Sequence, residues 1–150
     1  MSEKDWHLKF AKSLFNATWE LLEKKDRNKN EDAEMIRRAH ASRYHWGQVG
    51  QALQFARGDW LIAKVYAELG FGVMSYKYAK TSLELCEKHD LGSFDLAFAY
   101  QALAHASAVS GDIDKGRGFI TLGQSAAFDI EDEENREYVL RELEKVEERL

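Results

Sequence analysis

Apolar residues recur along most of this chain at spacings of three and four, the pattern of helices that each turn one face toward a core. From about Lys4 to Lys25 they fall on two adjacent ridges, Phe10–Leu14–Ala17–Leu21 and Ala11–Phe15–Trp19–Leu22, which predicts a helix with a broad buried face. The polar run KKDRNKN ends it, and Asn28 with Glu31 three residues later has the form of a capping box for a second helix. That helix is expected over Glu31–Trp46, burying Ile36, Ala39 and Tyr44 and stopping at Gly47. GQVGQ then reads as a turn. A third helix begins between Gln51 and Arg57 and ends at Leu69, with Gly70 suited to the left-handed residue that follows a helix.

A fourth helix is expected over Gly72–His89, a fifth from an N-cap at Ser93 to Val109, and a sixth from Ser110-Gly111-Asp112 to Phe128. The last stretch, from Asp132, has Val139, Leu143, Val146 and Leu150 in a single narrow stripe among charges, which suits a helix covering one end of a stack. The pattern also repeats. A shift of 41 residues lays Ile62 on Leu103, Ala63 on Ala104, Gly70 on Gly111, Ser75 on Gly116, Tyr78 on Phe119 and Ser82 on Gly123, and one step back lays Trp60 on Trp19. Small residues recur where helices must approach closely, and large ones where they fill the gap between hairpins. The expectation is one domain over 1–150: three antiparallel helical hairpins at about 4–46, 51–89 and 93–128, and a capping helix at about 131–150.

Composition agrees with this reading. The chain has no proline, the commonest helix breaker, and it is 45% hydrophobic and 31% charged, the balance of a folded globular chain. The formal net charge of -5 argues against nucleic acid as a partner, and it is carried by the segment from Glu131 to Leu150. The longest stretch without a formal charge, Leu96–Gly111, is too short and too polar for a membrane span. One cysteine, Cys86, cannot form an internal disulfide, and no leader-like segment opens the chain, so the cytoplasm is the expected compartment.

AKVYAELGFGVMSYKYAKTSLEL resembles the tetratricopeptide repeat: a small residue, Ala63; an aromatic three residues on, Tyr66; a glycine turn, Gly70; and small residues seven apart, Ser75 and Ser82. The likeness covers roughly Asp59–Phe128. It departs in its 41-residue period, against about 34 in that family, in serines at usual alanine positions, and in having no closing proline. The resemblance implies an all-α, right-handed superhelix in which the first helix of each hairpin lines a groove for another protein or a peptide. Asn16, Trp19, Arg57, Trp60, Lys64, Gln101 and His105 would then be the exposed binding residues. Aromatic anchors beside arginine and amide groups are the composition of a recognition surface. For Trp19 and Trp60 the competing reading is core packing between hairpins.

Two further readings belong to other classes. His40, Arg43, His45 and Trp46 gather near one helix end, as a small-molecule or hydrolytic site would require. His40 and His45, however, stand about 140° apart around a helix, so they do not form a metal pair. A homodimer through a stripe left uncovered, either on the final helix or at an end of the stack, is the other. Cys86 and His89 share a face but sit in the last turn of their helix, where the dipole opposes a thiolate. No catalytic residue, cofactor or metal is therefore expected, and the leading reading is a non-enzymatic binding scaffold.

Overall fold

The computed structural model describes residues 1–150 and contains seven α-helices and no strand. They are α1 (Glu3–Glu23), α2 (Lys29–Val49), α3 (Ala52–Glu68), α4 (Gly72–His89), α5 (Ser93–Val109), α6 (Ile113–Phe128) and α7 (Glu133–Glu147). Short connections fold α1 onto α2, α3 onto α4 and α5 onto α6 as three hairpins. Successive hairpins then pack through α2 on α3, α4 on α5 and α3 on α5, and α7 lies across α5 and α6.

Capping explains where most of these helices begin and end. Ser2 with Asp5 and Asn28 with Glu31 form reciprocal capping boxes at α1 and α2. The last turn of α1 holds no basic residue, and Arg27 takes over from the loop: its Nη1 donates to the carbonyls of Leu21, Leu22 and Lys24 while Nε donates to Asp32 at 2.8 Å. Gly70 and Gly111 have φ of 84° and 78°, the left-handed conformation that a side chain resists, at equivalent ends of α3 and α5.

The structure departs from the periodicity in three places. α2 runs through Gly47 to Val49 and is ended by Gly50, the internal glycine being tolerated at a cost of about 1 kcal/mol relative to alanine. The cap of α5 is Gly92, with φ 98°, and Ser93 is already helical. Tyr44, expected in the core, is 60% exposed, since the outer face of the first hairpin has no neighbouring element over it.

The close approaches are made by hydroxyls. Ser75 Oγ donates to the Ala63 carbonyl at 2.7 Å and Ser82 Oγ to the Ala56 carbonyl at 2.8 Å, joining α4 to α3 at two levels. Ser42 Oγ does the same from α2 to the Ala11 carbonyl on α1 at 2.8 Å. A small side chain lets the backbones come together, and the carbonyl it meets satisfies the buried hydroxyl. In the third hairpin the matching positions are Gly116 and Gly123, and there side chains of the capping segment fill the space. Leu150 lies against Gly116 and Leu143 against Gly123, so close that an added Cβ would stand 2.5 Å and 2.8 Å from their methyl groups. Val139, Leu143 and Val146 are buried in one cluster with Ala97, Ala104, Ile120 and Ala127, as the narrow stripe predicts.

Candidate functional site

The face shared by α1, α3, α5 and α7 carries a cluster of aromatic rings that no helix covers. Trp19 of α1 stacks on Trp60 of α3, with centroids 6.0 Å apart and planes at 26°, and Phe98 of α5 meets Trp60 edge-on at 5.6 Å. Tyr138 of α7 closes on Phe98 at 5.7 Å. With Phe15 and Phe94 these rings surround an open cavity of 250 Å³. Both tryptophans are half-buried, so they pack between hairpins and also face the cavity.

Polar groups hold this wall in place. The Trp60 indole N–H donates to the Phe98 carbonyl at 3.1 Å and to Gln101 Oε1 at 3.2 Å, which fixes the ring plane. Arg57 forms a two-pronged pair with Asp95, Nε to Oδ1 at 2.8 Å and Nη2 to Oδ2 at 3.1 Å, and that bond raises the guanidinium's affinity for its proton. Asn16 lies beside the same region, in an adjoining cavity of 310 Å³ lined also by Lys12, Phe15, Trp46, Gln54 and Arg57.

Of the groove residues expected from the sequence, Asn16, Trp19, Arg57 and Trp60 line these two cavities. Lys64 lies further along α3 and pairs with Glu68 at 3.4 Å. Gln101 and His105 are not exposed: they keep only 6% and 4% of their accessible surface. The reason is the position of α5, packed against α3, α4, α6 and α7 so that every residue from Gln101 to Ser107 is buried. His105 Nε2 accepts from Arg149 Nη1 at 2.9 Å, with Glu68 3.8 Å away. Burial, with the nearby Lys64 and Arg149 cations, pushes its pKa down to about 4.

The second cluster does not converge. His40 Nε2 bonds the Tyr66 hydroxyl at 2.9 Å and lies edge-on to Tyr66 and Tyr78, and burial lowers its pKa. Arg43 reaches Asp59, His45 turns to His7, and Trp46 joins the cavity next to Asn16. Four neighbours in sequence thus serve four surroundings, which is what successive positions on a helix do when elements pack on several sides.

Sequence reasoning left out Lys12, Gln54, Phe94, Asp95 and Tyr138, and placed Phe15 only in a core ridge. Tyr138 carried a signal, as a lone aromatic on the charged side of an otherwise narrow stripe. Asp95 carried none, because its role depends on Arg57, 38 residues earlier.

Cys86 is buried at 4% exposure, and burial pushes its thiol up to about 12, with Asp95 and Glu87 adding to the effect. Iodoacetamide at pH 7 is therefore expected to leave the folded protein unlabelled and to modify Cys86 only once denaturant is added. Mass spectrometry checks this, and prompt labelling of native protein would contradict the packing described. No group of three or more His, Cys, Asp or Glu side chains converges as a metal site, and no helix is long and apolar enough to cross a membrane.

The fold and these surfaces define an all-α protein of packed helical hairpins. No family model, curated protein or solved structure matches the chain.

Proposed function

We propose that this chain is a non-enzymatic interaction module of tetratricopeptide-like type. In this reading its three hairpins form a right-handed stack closed by α7, and it binds a peptide or partner helix through the face of α1, α3 and α5. The observation that carries the reading is the Trp19–Trp60 stack, open to solvent beside a 250 Å³ cavity lined mainly by aromatic and aliphatic side chains. Aromatic side chains held rigid by neighbours and backed by a fixed ion pair make effective anchors, because little side-chain freedom is lost on binding. A buried free thiol suits a reducing compartment, and in this reading the module works in the cytoplasm.

The test is a pull-down with wild type, Trp60→Ala and Lys64→Glu, each first shown to be folded by circular dichroism. Loss of a central aromatic anchor is expected to cost about 2 kcal/mol or more, roughly a thirtyfold drop in partner recovery. Lys64→Glu reverses a charge at the rim and is expected to act less strongly. Undiminished recovery by folded Trp60→Ala protein would remove the groove from consideration.

A further inference from the structure

Phe15 and Arg57 line both the aromatic cavity and the adjoining cavity of 310 Å³, so the two are halves of one groove with different chemistry. The first half is walled by aromatic rings. The second is built from groups that donate. Lys12 is exposed and has no carboxylate beside it: the lysine ion pairs join Lys24 to Glu31, Lys64 to Glu68 and Lys145 to Glu142. Arg57 commits Nε and Nη2 to Asp95, which cancels its charge and leaves Nη1 to donate. Gln54 Oε1 already accepts from the Gln51 N–H at 2.9 Å, so the rest of its amide is a donor. One uncompensated cation among such N–H groups attracts a single negative charge. A phosphate, carrying about two, would be left half neutralised beside Asp95.

The helices set the spacing. Trp19 stands seven residues after Lys12 on α1, and Trp60 six after Gln54 on α3. At about 1.5 Å per residue, the polar end lies roughly 9–10 Å along both walls from the stacked indoles, which is two helical turns. A partner helix lying in the groove returns a side chain to the same face at this distance after seven residues. We propose that the partner is an amphipathic helix carrying a bulky apolar side chain and, seven residues away, a glutamate or aspartate. The apolar group fills the aromatic half and the carboxylate pairs with Lys12. This rests on the interaction-module reading above and gives its partner a chemistry. The acid is a side chain within the segment, because a residue holds that distance only inside a formed helix, and helix ends fray.

The probes are helical peptides of about 18 alanine and glutamine residues, acetylated and amidated at their ends, with one leucine and one glutamate seven apart. They lack tryptophan, and Trp19, Trp46 and Trp60 line the groove, so the protein's own fluorescence reads the titration. Glutamine in place of the glutamate is expected to weaken binding to wild type about fivefold. Moving the glutamate to five residues from the leucine, about 140° around the helix, should do the same. Lys12→Ala, which removes an exposed side chain, should bind the glutamate and glutamine probes alike, at the weaker level. Alanine in place of the leucine should cost about thirtyfold. Equal affinity of the glutamate and glutamine probes, with the leucine still required, would overturn the carboxylate assignment and leave the groove reading standing. Tighter binding of a phosphoserine probe, or binding only when the peptide's own C-terminus is free, would overturn it too. Indifference to the leucine, or no binding of any probe at about 1 mM, would overturn both readings.

Discussion

Arg43→Ala is expected to destabilise the protein by about 3 kcal/mol, the usual scale when one partner of a buried ion pair is removed. Asp59 is 7% exposed, and its carboxylate is held by Arg43 Nε at 3.0 Å and by the Thr81 hydroxyl at 3.2 Å. Burial pushes its pKa up, while Arg43 pulls it back toward the ionised form. The arginine also lies over the Phe55 ring at 4.5 Å and covers Gly58, where an added Cβ would stand 2.8 Å from its Cδ. Truncation thus removes a counterion, a cation–π contact and the packing that joins α2 to α3. For a chain of this size the melting temperature should fall by about 10 °C. Adding Asp59→Asn to the Arg43→Ala background should restore part of the loss, since no charge then remains buried without a partner. Thermal melts of the single and double variants decide it, and an Arg43→Ala protein within 1 °C of wild type would be the contrary outcome.

The second large effect is a dependence on pH that passes through one histidine. His105 has its folded pKa lowered to about 4 by burial and by the Lys64 and Arg149 cations, against an ordinary value of 6.5. A lowered pKa means that the unfolded chain takes up a proton more readily between these two values. The histidine's contribution is therefore complete above about pH 6.5 and is lost as pH falls toward 4, a decline of roughly 3 kcal/mol. His105→Gln should flatten the slope of stability between pH 4 and 6.5, because an amide can occupy the site without titrating. Urea denaturation across that range is the measurement, and an identical slope in the two proteins would contradict the neutral, Arg149-bonded histidine described. Protonation would also set a cation beside Arg149 and Lys64 and remove the acceptor at 2.9 Å. The closure of α7 over α5 should loosen first.

These two effects show which interactions can be read along the chain and which cannot. Arg43 looked like part of a histidine-rich cluster because His40, His45 and Trp46 are near it in sequence. Its actual partner is on the next helix, 16 residues away. His105 fell on the predicted groove face by its register with Trp60 and Lys64. It is buried because α7 comes back across α5, and Arg149, 44 residues later and just past the end of α7, reaches it. Gln101 follows the same logic: its register with Trp60 was visible, and the hydrogen bond between them was not. The Trp19–Trp60 pair is the case in which register and contact coincide, since both residues face the same way from neighbouring first helices.

Local rules were enough for the helices themselves. Spacings of three and four, the capping box at Asn28, glycines at 70 and 111 and the absence of proline act within a few residues, and most helix boundaries follow from them. The narrow stripe of α7 and the small residues at 75, 82, 116 and 123 likewise announced which faces would be covered. What only the tertiary structure decided is which residues meet across helices: Arg57 with Asp95, Trp60 with Gln101, and His7 with His45. Those contacts depend on how far one hairpin is rotated and shifted against the next, and that is set by the summed packing of all seven helices. A stretch of sequence carries the period of its own helix, but the angle at which that helix meets its neighbours belongs to the whole chain.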